Sequence, residues 1–255
     1  MPDAIIVSNI VKRFPVDAAA EDSQVRGNFF YAIDDVSFRI TGGSCTLICG
    51  ANGSGKSLLM AIIAGLETPD SGTVCVAEKT GLIFQDPDTQ ILGETAREDI
   101  AFGLRNLRRN MRLSKAEIVT RINAALAETG LASRADFPSR SLSGGEKRRL
   151  AVAGVLVMDA QIIIFDEPYA NMDYDSVIQV NRQIQKLRST GKTIIILTHE
   201  IEKCLGMADS LIVLYKGKKV FEGSPAHALE QNLEAWGIHN PKGAAAGNIK
   251  GMVWL

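Results

Sequence analysis

The feature that most limits what this chain can become is Gly50-Ala-Asn-Gly-Ser-Gly-Lys56-Ser57, which satisfies G-x-x-x-x-G-K-[ST] in full. The apolar run Ser44–Cys49 precedes it and the apolar-periodic run Ser57–Leu66 follows. Strand, glycine loop and helix in that order call for a parallel α/β sheet whose carboxyl edge carries the loop. Glycines there let backbone N–H groups converge on phosphate oxygens, and the helix N-terminus adds its dipole. Lys56 is placed to neutralise β- and γ-phosphates and the Ser57 hydroxyl to ligate Mg²⁺. Gly50, Ala51, Asn52, Gly53, Ser54, Gly55, Lys56 and Ser57 are therefore the expected nucleotide cradle.

The rest of the pattern agrees with such a sheet. Ile162–Phe165 and Thr193–Leu197 are apolar without alternation, as parallel strands buried on both faces are. Between them Val177, Val180, Ile184 and Leu187 mark one helix face that stops at Gly191, a C-cap glycine. Ser210–Leu214 reads as a further core strand. Nearer the start, AIIVSNIVKRF and AIDDVSFRI are β-rich runs separated by PVDAAAEDSQVRGNFF (15–30), which reads as a loop insertion. From about residue 94 the period becomes helical. Thr95…Glu98 and Ser114…Glu117 fit the capping box, followed by Ile100, Leu104, Leu107 and by Ile118, Ile122, Leu126. Ala226–Trp236 reads as one short helix ahead of a Gly/Ala-rich tail. The expected division is a β subdomain plus nucleotide-binding core (1–93 and 156–224), a helical subdomain (94–155) and a C-terminal extension (225–255).

Composition narrows the function classes. A net charge of −1 over 255 residues argues against a surface built to hold nucleic acid. The run Lys147-Arg148-Arg149 is the main basic cluster, and helical runs of this kind are more often a solvated face. Cys45, Cys49, Cys75 and Cys204 form no C-x-x-C pair, so they read as reduced core residues of a cytosolic protein. The first ten residues lack a signal-peptide pattern, and the longest apolar runs fall short of a membrane span, so a membrane role has to come through a partner.

Several residues outside the glycine loop carry chemistry. IIIFDEP ends a buried strand in two carboxylates: Asp166 suits the metal shell, and Glu167 is placed to polarise a water for attack on the γ-phosphate. His199 follows TIIILT at the same sheet edge, where it can contact the γ-phosphate. Gln85, after LIF, sits at a comparable strand end and can touch both Mg²⁺ and the attacking water. The stretch SLSGGEKRRL (141–150) looks like a second anion loop.

These motifs, in this order, resemble the ATP-binding cassette (ABC) ATPases across essentially the whole chain. GANGSGKS matches the Walker A motif, FQD (84–86) the Q-loop, LSGGE (142–146) the signature, IIIFDEP the Walker B, Asp173 in ANMD the D-loop and His199 the switch histidine. The resemblance implies an α/β P-loop NTPase (RecA-like), with a mostly parallel core, an N-terminal antiparallel β subdomain and an inserted helical subdomain. It also implies a head-to-tail dimer. Ser143, Gly144, Gly145 and Glu146 of one subunit would then face the ATP and Mg²⁺ held by the other, with Asp173 nearby. Phe14 in KRF fits the aromatic that stacks on adenine, with Phe30 and Tyr31 as rivals. Glu146 stands where glutamine is commonest; S-x-x-E is a capping box, so its carboxylate can fold back on its own helix, helped by Lys147 or Arg149. The D-loop ANMD departs from the commoner S-G-L-D without removing a catalytic group.

A narrower likeness, carried by QDPDTQ (85–90), EDIAFG (98–103) and the signature-to-Walker-B stretch, is to the ATPases of energy-coupling-factor (ECF) transporters. It implies a peripheral ATPase on the cytoplasmic side of the cell membrane. Its partners would be a second ATPase subunit, a transmembrane coupling subunit and a membrane subunit that binds a vitamin or transition-metal ion. A groove near Gln85–Asp99, with Gln90 and Glu94 as contacts, would be the docking site. The alternatives are the ATPase of a conventional ABC importer or exporter, or a soluble ABC ATPase acting on nucleic acid or ribosomes. The last predicts two cassettes and a coiled-coil or basic arm, which this sequence lacks.

Overall fold

The structure is a computed structural model that describes residues 2–16, 23–111, 113–241, 252 and 254, with the backbone alone at 105–111. Its first half contains β1 (Asp3–Pro15), β2 (Val25–Arg26), β3 (Phe29–Thr41), β4 (Cys45–Cys49), α1 (Lys56–Ile63), β5 (Ser71–Val76), β6 (Thr80–Ile83), α2 (Ala96–Met111) and α3 (Lys115–Glu128). The second half contains α4 (Gly144–Val157), β7 (Ile162–Asp166), α5 (Tyr174–Ser189), β8 (Thr193–Thr198), β9 (Ser210–Tyr215), β10 (Lys218–Gly223) and α6 (Pro225–Ala228). One sheet, in the order β2-β3-β1-β5, is antiparallel. The other runs β10-β9-β4-β8-β7-β6 and is parallel except for β10, which pairs antiparallel with β9.

The unalternating strands are explained by two cores. Ile163 and Phe165 of β7, with Ile194 and Ile196 of β8, face a core shared with α4 and α5. Their neighbours Ile162, Ile164, Ile195 and Leu197 face the opposite core, shared with α1 and the antiparallel sheet. Each strand thus needs an apolar residue at every position, and each such side chain taken out of water contributes about 1.5–3 kcal/mol. A third core joins α2, α3 and α4 through Ile100, Leu104, Ile122, Leu126 and Leu150. Helix α4 serves two cores: Leu150, Ala153 and Val157 face the helices, while Ala151, Val152 and Val155 face the parallel sheet. A helix apolar on both sides of its axis is a buried one.

Some expectations are corrected. Residues 15–30 are strand at both ends, because Arg13, Phe14 and Pro15 pair with Tyr31, Phe30 and Phe29, and β2 adds Val25–Arg26; positions 17–22 lie outside the described residues. Ala226–Trp236 is not one helix but α6 followed by a separate 3₁₀ turn at Leu233–Trp236. Strands β5 and β10 went unread because both are largely exposed edge strands with a weak apolar signal. Cys45, Cys49 and Cys204 are buried as expected, but Cys75 on β5 is exposed. Gly191 follows α5 at φ +85°, as a C-cap glycine does. Leu107 lies among the residues whose side chains are not described.

Candidate functional site

The loop Gly50–Gly55 leaves β4 and turns into α1 through glycines that no other residue could replace without strain. Gly50, Gly53 and Gly55 have φ of +154°, +77° and +98°. A Cβ at Gly55 would stand 2.7 Å from the Ala32 carbonyl oxygen of β3. The first turn of α1 has no side-chain cap and no acidic residue, so its N–H groups and dipole remain available to an anion. Inside the loop the buried Ser54 Oγ has no hydrogen-bond partner. The adjoining cavity of about 320 Å³ is lined by the loop, Ala32, Gln85 and Glu167. An uncapped helix start, an orphaned hydroxyl and a cavity together fit a bound phosphate chain.

Three segments meet at or beside this cavity: the loop with Lys56 and Ser57, the end of β7 with Asp166 and Glu167, and His199 after β8. Lys56 Nζ donates to the carbonyls of Gly50 (2.8 Å) and Ala51 (3.1 Å), and pairs with Glu167 Oε1 at 3.5 Å. Ser57 Oγ donates to Asp166 Oδ1 at 3.1 Å. His199 Nδ1 lies 3.1 Å from Glu167 Oε2. Burial holds the Asp166 carboxyl above the usual carboxylate range, with the Glu167 charge adding to this and the Ser57 bond opposing it. Glu167 is buried, and its backbone is left-handed at φ +44°. A non-glycine residue held there costs about 1–3 kcal/mol, a strain typical of functional positions. Its N–H is fastened to Leu197 O at 2.9 Å, which ties the end of β7 to β8. No cluster of three or more His, Cys, Asp or Glu that could hold a metal occurs among the described residues. A cation at Ser57 and Asp166 would have two protein oxygens and take the rest of its shell from phosphate and water, which is the habit of Mg²⁺.

The remaining candidates are not part of this cavity. Ser143, Gly144, Gly145 and Glu146 begin α4 elsewhere, with Ser143 and Gly144 exposed. Here both arms of a capping box are made: Ser143 Oγ accepts from Glu146 N at 3.3 Å, and Glu146 Oε2 accepts from Ser143 N at 2.8 Å. The Ser143 backbone N–H keeps the Glu146 carboxyl below the usual glutamate range. Its ion pair, at 3.1 Å, is with Arg134, and the Arg149 charge acts on it as well, as expected; Lys147 does not serve this role and instead bonds Asp88 at 2.6 Å. Asp173 caps α5, accepting from Ser176 N at 2.9 Å. Phe14 is 42% exposed at the end of β1 and pairs directly with Phe30, while Tyr31 lines a separate hollow beside Lys216.

Arg148 differs from its sequence reading, and Gln90 and Asn181 make contacts that the sequence reading did not include. Arg148 is buried rather than solvated, and donates to the backbone oxygens of Pro168 and Gln85. It thereby fastens α4 to the loops after β7 and β6. Its spacing from Ala151, Val152 and Val155, all in the core, was the available signal. Gln90 is turned inward, donating to Leu82 O (3.0 Å) and accepting from Phe84 N (3.3 Å), so it closes its own loop. Asn181 is fully buried on α5 and bonds Tyr169, Lys203 and Trp254. Its spacing from Val177 and Ile184, both in the core, was again the available signal.

A glycine loop between a central parallel strand and a helix, with a lysine, a serine and strand-end acids about it, defines a P-loop NTPase. The comparisons place it more closely. The family described as "ABC transporter" matches residues 33–170, more than half of the chain. The energy-coupling factor transporter ATP-binding protein EcfA of Carboxydothermus hydrogenoformans is 37% identical over 227 residues, covering 80% of this chain and 83% of that protein. EcfA2 of Thermotoga maritima is 36% identical over 216 residues, 78% of each. Among solved structures, cbiO1 from Clostridium perfringens, part of the ABC transporter complex cbiONQ, superposes with a TM-score of 0.77 at 29% identity, covering 91% of this chain and 92% of that one. A dimeric ATP-binding cassette, MJ0796 bound to ADP and Pi, gives 0.72 at 26% identity, covering 87% and 98%. The chain belongs to the ABC transporter family and is an ATP-binding subunit of that family. ATP hydrolysis coupled to transport is the family's activity.

Proposed function

We propose that this chain is the ATPase of an ECF-type transporter, acting as one half of an ATPase dimer on the cytoplasmic side of the membrane and energising uptake of a vitamin or transition-metal ion. The observation that carries the hydrolytic part is the convergence of Lys56, Ser57, Asp166, Glu167 and His199 through contacts of 3.1–3.5 Å. The ECF part is supported by QDPDTQ and EDIAFG and by relatives named as ECF ATPases in bacteria and archaea. No helix among the described residues is long and apolar enough to cross a membrane, so membrane contact is assigned to partner subunits.

In this reading the loop amides and Lys56 hold the ATP phosphates, and Phe14 stacks on adenine. Glu167 takes up the proton of the attacking water, while His199 holds that carboxylate by one oxygen and faces the γ-phosphate with its other ring nitrogen. Gln85 lines the cavity beside them. Mg²⁺, held by Ser57 and Asp166 and touched by Gln85, would neutralise charge on the β- and γ-oxygens. Ser143, Gly144 and Gly145, which the chain does not turn toward its own phosphate loop, would serve the partner's nucleotide, with Asp173 at the same dimer face. A hollow of about 450 Å³ between Gly93–Thr95 and Pro138–Arg140 is the docking groove for the coupling subunit, with Glu94 on its rim. Gln90, the other expected contact, closes the loop that precedes this groove in the chain.

Purification of the tagged protein from its native membrane tests the proposal. A coupling subunit and a small substrate-binding membrane subunit should accompany it, and the complex should take up radiolabelled vitamin or metal ion. Recovery with the permease of a conventional importer or exporter would sink the ECF assignment and leave the ATPase intact.

A further inference from the structure

The side-chain amide of Asn181 is the centre of a buried network that the nucleotide cavity does not contain. Its Oδ1 accepts from the Tyr169 hydroxyl at 2.7 Å; its Nδ2 donates to the carbonyls of Lys203 and Trp254, each at 2.8 Å. Asn181 and Tyr169 are both 0% exposed. Each arm reaches a different segment. Tyr169 stands two residues beyond Glu167, and Lys203 four residues beyond His199. Trp254 lies near the chain end, and Asn181 itself is on α5, which begins at the Asp173 cap. An asparagine amide can make about four hydrogen bonds, and three are committed here to three separate elements.

The chain end is itself fastened at several points. Gly206 N donates to Met252 O at 2.8 Å and Trp254 N to Lys203 O at 3.3 Å. The Met252 side chain is buried in the main core. The Trp254 ring packs on Tyr174, the first residue of α5, with centroids 5.1 Å apart, and Lys203 Nζ lies 5.5 Å from the same ring. Residues 252 and 254 are therefore joined at Lys203 and Gly206 to the segment that follows His199, whose ring makes the contact with Glu167.

We infer that Asn181 is a positioning residue for the Glu167–His199 pair, and that the chain end at Met252 and Trp254 completes its grip. The inference rests on the roles proposed above for Glu167 and His199. Glu167 sits on strained backbone and His199 on a turn, so neither holds its place by regular secondary structure alone. The amide links the loop behind one to the turn behind the other, and a buried, satisfied network of this kind defines a single arrangement.

Steady-state ATP hydrolysis by the 255-residue chain provides the test, using Asn181→Leu, Tyr169→Phe and deletion of residues 253–255. Rates are counted per binding-competent site, titrated with a fluorescent ATP analogue, so that unfolded protein drops out. Displacing catalytic groups by a fraction of an ångström predicts a fall in kcat of about 10- to 100-fold with KM within about twofold of the parent. Tyr169→Phe removes one oxygen and keeps the packing, so it decides the matter if Asn181→Leu does not fold. Parent kcat per site in Tyr169→Phe and in the deletion would overturn the inference alone, provided Glu167→Gln has lost hydrolysis. Parent-rate hydrolysis by Glu167→Gln would overturn both the base assignment and the inference built on it.

Discussion

The chain starts two helices with glycines, and the two starts are finished differently. At α1 the glycines are left-handed, the helix end is uncapped, and Lys56 is folded back among the loop carbonyls. At α4, Gly144 and Gly145 have no positive φ, and Ser143 with Glu146 has already satisfied the helix end. The first is a concave cradle that needs nothing further from its own chain. The second is an exposed helix end whose carboxylate is tied down by Ser143 and Arg134. A glycine-rich motif before a helix thus makes an anion pocket only where the backbone curls around it. Where it does not, the motif suits a surface completed by another molecule.

The largest expected effect is at the cradle's acid. Glu167→Gln should lower the hydrolysis rate about 10²–10⁴-fold while nucleotide binding persists, measured by phosphate release and by equilibrium binding. The paired glycine substitutions come next. Gly55→Ala places a Cβ against Ala32 O on backbone at φ +98°, so nucleotide affinity should fall by more than about tenfold, or 1.4 kcal/mol. Gly144→Ala meets nothing within 4 Å, so melting temperature and nucleotide binding by the monomer should hold, and only hydrolysis by the dimer should suffer. Equal loss of monomer affinity in both variants would erase the distinction between the two loops. Ser143→Ala should cost about 1 kcal/mol of stability through its cap, read by denaturant titration, and reduce hydrolysis without changing monomer affinity.

The smallest effect is one of pH. The Asp166 carboxyl is raised, so on acidification it takes up its proton earlier than it would in the unfolded chain; its charge costs stability above that pH and the cost fades below it. The Glu146 carboxyl is lowered, so its contribution is present above the ordinary glutamate value and is lost only as pH falls through the depressed one. Carboxyl-carbon NMR should show Asp166 titrating above and Glu146 below their unfolded values. The reverse order would contradict the burial of one and the capping of the other.

Much of the cradle was legible because its residues are fixed by local rules. A glycine-lysine loop after a strand, acids at a strand end and S-x-x-E before a helix each report their own geometry. The Glu146 fold-back was readable in this way, but its partner Arg134 was not, because it comes from a turn outside the motif. Arg148 and Asn181 were missed for a related reason. A polar residue inside an apolar helix face is satisfied by backbone oxygens far away in sequence, which periodicity does not record. The edge strands β5 and β10 were missed because each buries too little to show a pattern.

The placing of the cysteines gives the molecule a built-in reporter of its own integrity. Burial pushes the Cys45 thiol up to about 12 and raises those of Cys49 and Cys204, while Cys75 lies open on β5. A thiol reagent at neutral pH should therefore label the native protein once, because attack requires both access and thiolate. Further labelling has to wait for one core to open, the one between the parallel sheet and α4 and α5, which holds Cys45, Cys49 and Cys204. Counting modified sulfurs against time then separates molecules that stay closed from those that open, with no dye or tag added by design.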